Sequence, residues 1–243
     1  MTSFRIATFN MHHGNTKGNI DTNKGMLDGI SAMEADVLCV QEIDYLSLRT
    51  FFADQPKLIG EHLGFQYVTA NVRFFGAGFQ YLAMFSKFPI ISSREETLPS
   101  GYLQQTRKSL SVAYEIYGQE VGITTTHLHS HGKTTGHNKV AEEQLEFCLE
   151  NVAGEDMSIL AGDLNLLPSE VVPVATKFGY DAPNEYPTSS SANPRRQIDW
   201  ILAKGVDLTE IKVSDHIVGD HRALIADVNV HPRKDYTRFA NEV

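Results

Sequence analysis

Cysteine is scarce in this chain, with only Cys39 and Cys148 among 243 residues. One possible pair is not a disulfide framework, so both are read as buried thiols of a protein kept reduced. No apolar run approaches the ~18 residues of a membrane span. The N-terminus opens directly on a strand pattern, without the apolar stretch of a signal peptide. A cytoplasmic location with no membrane span is the resulting expectation. Cations are the minority charge: 21 Lys and Arg stand against 30 Asp and Glu, giving a formal charge of −9 and a pI near 5.5. Such a chain has no global field to draw in DNA, RNA or an anionic membrane. A local basic pocket can still hold a phosphate.

What remains is ordinary globular material. Apolar residues are 42% and charged residues 21% of the 27.1 kDa chain, near the averages for soluble domains. No repeat or dividing linker is visible, so residues 1–243 are read as a single domain. Strands are predicted over Phe4–Phe9, Asp36–Val40, Tyr81–Ser86, Leu110–Tyr117, Val121–Thr126, Met157–Ala161, Ile198–Leu202, Val206–Val213 and Leu224–Val230. Helices are predicted over Gly25–Met33, Pro56–Leu63 (ended by Gly64) and Lys139–Val152. Gly118-Gln119-Glu120 reads as a hairpin turn. The prolines Pro173, Pro183, Pro187 and Pro194 mark a loop region that suits a substrate rim. The tail after Pro232 is polar and reads as partly disordered. Adjacent strand runs with a few helices predict an α+β sandwich rather than strict βαβ alternation.

Polar residues of a few types recur at the ends of these runs: Asn10, Gln41-Glu42, His127, Asp163 to Asn165, Asp199 and Asp220-His221. One such residue is where a strand meets water. So many, all able to bind or transfer charge, suggest a site at rigid strand ends. If they converge, the carboxylates of Glu42, Asp163, Asp199 and Asp220 lie within a few ångströms. Two like charges ~5 Å apart repel by about 3 kcal/mol at an effective dielectric near 20. Several such pairs would unfold a marginally stable domain unless cations intervene. All-oxygen ligation suits Mg²⁺ or Mn²⁺ better than zinc. An imidazolium, oriented by a neighbouring Asp, is the second available cation.

The order of motifs resembles the endonuclease/exonuclease/phosphatase superfamily, with its deoxyribonuclease-I-like fold. The residues that carry the resemblance are Thr8-Phe9-Asn10-Met11-His12, Val40-Gln41-Glu42-Ile43-Asp44, Ser86-Lys87-Phe88-Pro89-Ile90, Thr126-His127-Leu128, Gly162-Asp163-Leu164-Asn165, Gln197-Ile198-Asp199-Trp200 and Gly219-Asp220-His221. The resemblance implies a four-layer α/β sandwich, two packed and mainly antiparallel sheets flanked by helices. It also implies Mg²⁺-dependent cleavage of a phosphate ester. By matched position, Glu42 is the principal metal ligand, supported by Asn10, and Asp220 is a further ligand or lies just behind one. Asp163 positions or deprotonates the attacking water, and Asn165 orients it or the phosphate. His221, held by Asp199, contacts the phosphate, as does His127. Arg107 is a looser match to a basic residue at the phosphate, an exposed arginine being the plainer reading.

The chain also departs from the family pattern. Gly219 replaces the usual Ser before the terminal Asp-His, which reads as a mild change, and Tyr81-Leu82 replace a Gly and a small residue. Ser214-Asp215-His216 competes with Asp220-His221, but only the latter leads directly into an apolar strand. Two rivals stand beside the hydrolase reading. His127, His129 and His131 alternate and on one strand face would make a zinc site. The other rival is a catalytically silent member that only binds a phosphate ligand or partner. For substrate, the negative charge favours a phosphodiester or phosphomonoester of modest size over a nucleic acid, with a nuclease as the alternative. Phe74, Phe75, Phe79 and Tyr81 suit either a pocket for a base or acyl chain or, more commonly, core packing. Oligomeric state is not legible.

Overall fold

The computed structural model describes residues 2–16, 19–20, 24–75, 77–101, 104–130, 138–152 and 156–231. In chain order the strands are β1 (Thr2–Asn10), β2 (Asn15–Thr16), β3 (Asn19–Ile20), β4 (Val37–Tyr45), β5 (Gln66–Phe75), β6 (Gly78–Ser86), β7 (Ile90–Thr97), β8 (Lys108–Ile116), β9 (Gln119–His127), β10 (Ser158–Asp163), β11 (Asp199–Lys204), β12 (Asp207–Ile217) and β13 (Arg222–Val230). The helices are α1 (Lys24–Ser31), α2 (Gln55–Leu63), α3 (Lys139–Glu150) and α4 (Pro168–Lys177). One sheet has six strands in the order β12-β13-β1-β4-β6-β5, and the other has five in the order β11-β10-β9-β8-β7.

Each large sheet contains one parallel pair in a mainly antiparallel frame: β1 with β4, and β9 with β10. A parallel pair needs a crossover, and a helix supplies it in both cases, α1 in the first sheet and α3 in the second. The period-2 pattern of the strands then separates the layers. Phe4, Ile6 and Cys39 point between the sheets, where they meet Leu110, Val112, Ile123 and Ile159. Their neighbours Ala7, Phe9, Leu38 and Val40 point outward under Met26, Ile30 and Ile59 of α1 and α2. On the far side Leu160, Trp200 and Leu202 pack under Leu145, Cys148 and Val171 of α3 and α4. The result is the four-layer helix–sheet–sheet–helix sandwich expected from the resemblance.

Local chemistry explains most boundaries. Asp54 caps α2 by accepting from the Lys57 backbone N–H, and Gly64 closes it at φ 67°. Asn138 caps α3 in the same way through the Ala141 N–H. Three expectations need correction. The β8–β9 turn is Tyr117-Gly118, both at positive φ, rather than Gly118-Gln119-Glu120, because a tight hairpin needs two such residues. Pro173 lies inside α4, with Pro168 at the helix start, and not in a loop. Strands β5 and β7, along with α4, were not expected at all; β5 and β7 are sheet edges whose exposed faces blur the apolar pattern. Cys39 and Cys148 are free and buried, and burial pushes both thiols up to about 12. No helix among the described residues is long and apolar enough to cross a membrane. His131 and the tail from residue 232 lie outside the described residues.

Candidate active site

Strand register assembles the site. Asp163 at the end of β10 pairs with His127 of β9 on one side and with Asp199 of β11 on the other. Directly paired residues share a face, so these three side chains form a row across three strands. Opposite the row stands the end of β1 and the middle of β4. Pairing of β4 with β6 jumps from Val40↔Ala83 to Ile43↔Tyr81, so Gln41-Glu42 form a bulge, and Glu42 takes φ 55°. A bulge re-aims a side chain. Gln41 faces inward and donates to Thr8 Oγ1 at 3.1 Å and Thr125 Oγ1 at 3.0 Å, which ties the two sheets together.

Asn10 bridges the sheets at the mouth. Its Nδ2 donates to Glu42 Oε1 and to Asp163 Oδ2, each at 3.1 Å, while its Oδ1 accepts from the His12 N–H at 3.0 Å. Gln80 donates to the other Glu42 oxygen at 3.3 Å. Asn165, at φ 52°, donates its backbone N–H to Asp163 Oδ1 at 3.1 Å and its Nδ2 to the Leu128 carbonyl at 3.1 Å. The Asx turn and the site are thus one structure. His221 lies 2.8 Å from Asp199 through Nδ1, and the same Asp199 oxygen accepts from Thr188 Oγ1.

Electrostatics divides the two imidazoles. Burial pulls His221 down, but the Asp199 and Asp163 carboxylates outweigh it and hold the ring up to about 10, a cation. Burial, reinforced by Arg107 and His221, pushes His127 well below its ordinary value, so it is neutral. His127 lies 3.4 Å from Asp163 and 3.7 Å from Glu42. Burial drives Asp163 up to about 7; His221 opposes this, and Asp199 and Glu42 reinforce it. A buried carboxyl poised near neutrality is suited to proton transfer.

Several sequence expectations are modified by these positions. Arg107 is buried rather than exposed, with Nε lacking a hydrogen-bond partner among the described residues; burial lowers its pKa, and Asp163 and Glu42 counter this. Asp220 stands apart from the Asp163–Asp199–His221 group: its half-exposed carboxylate is 3.9 Å from His12 Nδ1. His221, and not His216, reaches Asp199. His129 is held through its backbone, by Gln144 in the middle of α3 and by Asn138 at its N-cap. The Ser86 motif has a structural task, since Ser86 Oγ accepts from the Phe88 N–H at 2.9 Å. Gly219 is not a mild change: a Cβ there would lie 2.6 Å from the Met11 carbonyl oxygen and 2.9 Å from that of Asn10.

Residues not anticipated at the site are Gln80, Thr188 and His13. Thr188 and Ser189 belong to the segment read as a rim loop, where the Arg222 N–H donates to the Thr188 carbonyl. The bulge pairs Gln80 with Asp44, two residues from Glu42 and therefore on the same strand face, and only that placement lets its side chain reach Glu42. Arg73 bonds Gln80 at 2.8 Å and lies over the Phe75 ring, as does Arg49. Beside them Phe74, Phe75 and Phe79 are exposed, which overturns the core-packing reading of those rings.

The donor set fits a divalent cation. Two groups each bring three donor atoms within 4.8 Å of one another, His12-His13-Glu42 and Asp163-Asp199-His221. The second already contains its own cation, His221. The first has none of its own, and buried His13 Nδ1 has no hydrogen-bond partner among the described residues.

The model of the Endonuclease/Exonuclease/phosphatase family matches residues 7–222. The chain belongs to this family. Members of the endonuclease/exonuclease/phosphatase family are metal-dependent phosphoesterases or nucleases. No curated protein matches the sequence. Among solved structures the chain is similar to the endonuclease/exonuclease/phosphatase from Beutenbergia cavernae DSM 12333, at 19% identity and TM-score 0.76 over 94% of this chain and 72% of that one. It is similar to D. rerio TDP2 complexed with single strand DNA product, at 18% identity and TM-score 0.73 over 95% and 100%. It is likewise similar to the human Nocturnin catalytic domain with bound sulfate anion, at 18% identity and TM-score 0.70 over 94% of both chains. At such identities the likeness is one of fold.

Proposed function

We propose that this family member hydrolyses a phosphodiester or phosphomonoester of modest size, with Mg²⁺ or Mn²⁺ as its divalent ion. The observation that carries the reading is the division of charge in the site. A buried carboxyl near neutrality, Asp163, stands between a neutral imidazole, His127, and a cationic one, His221. Metal-assisted attack of water on phosphorus needs a proton acceptor for the water, donors for the phosphoryl oxygens and compensation for developing negative charge.

Glu42 would hold the ion, with Asp220 as a further carboxylate on the His12 side and Asn10 bracing Glu42 through its amide. When bound, the ion supplies Lewis-acid stabilisation of charge on phosphoryl oxygen. Asp163 takes the proton of the attacking water, held in place by Asn10 and the Asn165 N–H. His221 offers Nε2 to a phosphoryl oxygen, while Asp199, fixed by Thr188, keeps the ring oriented and charged. His127 donates as a neutral group. Arg107, desolvated and with a spare Nε, adds positive potential behind the site.

The test is hydrolysis of bis-p-nitrophenyl phosphate by the purified chain. Activity should need Mg²⁺ or Mn²⁺ and vanish in Asp163→Ala. Activity that survives either chelation or that substitution would refute the reading. A nuclease acting on single strands is the second reading, favoured by the exposed rings of Phe74, Phe75 and Phe79, on which bases can stack. The formal charge of −9 opposes it. Metal-dependent cleavage of oligonucleotides at physiological salt, faster than that of small diesters, would reverse the ranking.

A further inference from the structure

His12 and His13 follow Asn10 by two and three residues, in a short turn that the phosphoesterase mechanism leaves unused. Both take left-handed backbone conformations, at φ 44° and 50°. Side-chain-bearing residues seldom adopt these, and two in succession persist only where the surroundings impose them. Here the surroundings do so. The Met11 N–H donates to the Gln41 carbonyl at 3.1 Å, and the Gly14 N–H to the Met11 carbonyl at 2.8 Å. Gln55 donates to the His13 carbonyl at 2.9 Å while accepting from the Asp44 N–H at 2.8 Å. The turn is thereby fastened to β4 close to the Glu42 bulge, and the two rings are brought to 4.4 Å centroid separation.

Each of His12, His13 and Glu42 then offers one donor atom within 4.8 Å of the others. His13 is 5% exposed, and its Nδ1 is buried with no hydrogen-bond partner among the described residues. A buried imidazole nitrogen left unbonded loses its hydration without compensation, unless it meets a ligand. Asp220 adds a carboxylate 3.9 Å from His12 Nδ1.

We propose that His12, His13 and Glu42 form one cation site whose nitrogen donors make it prefer first-row transition ions to Mg²⁺. Imidazole is a poor partner for the hard Mg²⁺ ion, which favours oxygen and water. Affinity at nitrogen-bearing sites rises along the first transition row. The inference rests on the proposed function for the use of the ion in hydrolysis, and it narrows the ion from Mg²⁺ or Mn²⁺ to a nitrogen-accepting one. It also replaces the all-oxygen donor set expected from the sequence.

The test uses the full chain freed of metal by chelation, with Mn²⁺ as the probe. Pulsed electron paramagnetic resonance of bound Mn²⁺ should show nitrogen hyperfine couplings. Calorimetric titration should show His12→Ala losing about tenfold or more in Mn²⁺ affinity while its Mg²⁺ affinity changes by less than about twofold. His13→Gln should behave alike where circular dichroism shows it folded; if it misfolds, the wild-type spectrum and the half-exposed His12 variant still decide. An oxygen-only spectrum, or equal losses for both ions, overturns the site. An oxygen-only spectrum with Mg²⁺-dependent diesterase activity removes the site and leaves the proposed function standing. Nitrogen-coupled Mn²⁺ in a chain that hydrolyses no phosphate ester does the reverse.

Discussion

Asp199 and His221 lie 22 residues apart in sequence and are joined at 2.8 Å, both within the buried rim of the site. The ring is cationic, so Nδ1 donates to Asp199 Oδ2 and Nε2 is left to face substrate. His221→Ala should reduce kcat by roughly 10²-fold or more through loss of charge stabilisation. Asp199→Asn should lower kcat nearly as much with little change in KM, because it frees the ring to turn and to lose its proton. Steady-state kinetics on a small diester measures both; a near-normal Asp199→Asn enzyme would break the proposed pair.

The same pair sets a pH dependence in the metal-free protein. The ring is raised to about 10 in the folded chain, against ~6.5 unfolded. A raised folded value means that its stabilisation is complete below pH ~6.5 and is lost as pH rises through about 10. The difference in urea midpoint between wild type and His221→Gln should therefore shrink between neutral pH and pH about 10. A difference that stays constant would show that the ring is uncharged.

Asp163 is a carboxyl that the fold buries at some cost to itself. Burial raises it to about 7, and the neighbouring Asp199 and Glu42 add to the effect. In metal-free protein above neutral pH, Asp163→Asn should raise stability by about 1–2 kcal/mol, since an amide carries no charge to desolvate. The same substitution should lower hydrolysis by about 10²- to 10⁴-fold. Denaturation and kinetics together check the trade. A variant that is destabilised would contradict the charge-crowding account.

The rim of exposed rings predicts a substrate contact. Phe74 is 68% exposed and packs edge-on against Phe79, and Arg73 stacks over Phe75 one hydrogen bond from the Glu42 partner Gln80. The Phe74→Ser, Phe79→Ser double variant should raise KM for an aryl phosphodiester about 3- to 10-fold with kcat retained. A methyl ester should be insensitive. Equal effects on both esters would make the rim irrelevant to binding.

Gly219 permits the approach that puts Asp220 and His221 beside the end of β1. A Cβ at that position would meet the Met11 carbonyl oxygen at 2.6 Å, and this neighbour is backbone. Gly219→Ser, although it restores the commoner family residue, should cost about 1–3 kcal/mol by overpacking. Thermal denaturation would show it. An unchanged midpoint would mean that the loop moves freely.

Much of this could be read from the residues in order. The apolar alternation of Phe4–Phe9 and the run at Asp36–Val40 foretold β1 and β4, and Gly64 marked the end of α2. The edge strands β5 and β7 were missed because a half-solvated edge lacks a clean apolar face. Asn10, Glu42, His127, Asp163, Asp199 and His221 were visible as strand-end residues of the right kinds, and the fold brings them together. Their company was not visible: Thr188 and Gln80 are ordinary residue types that acquire meaning only from contact.

By itself the chain of residues decided the layered α+β architecture, the family and the kinds of groups at the site. These depend on local propensity, burial pattern and motif order, all of which are one-dimensional. Tertiary structure alone decided which groups share a charge environment. Burial makes His127 neutral and Asp163 weakly acidic, the facing carboxylates make His221 a cation, and a bulge turns Glu42 toward two histidines. Desolvation and Coulomb interaction act through distances in space, and spacing along the chain does not encode them.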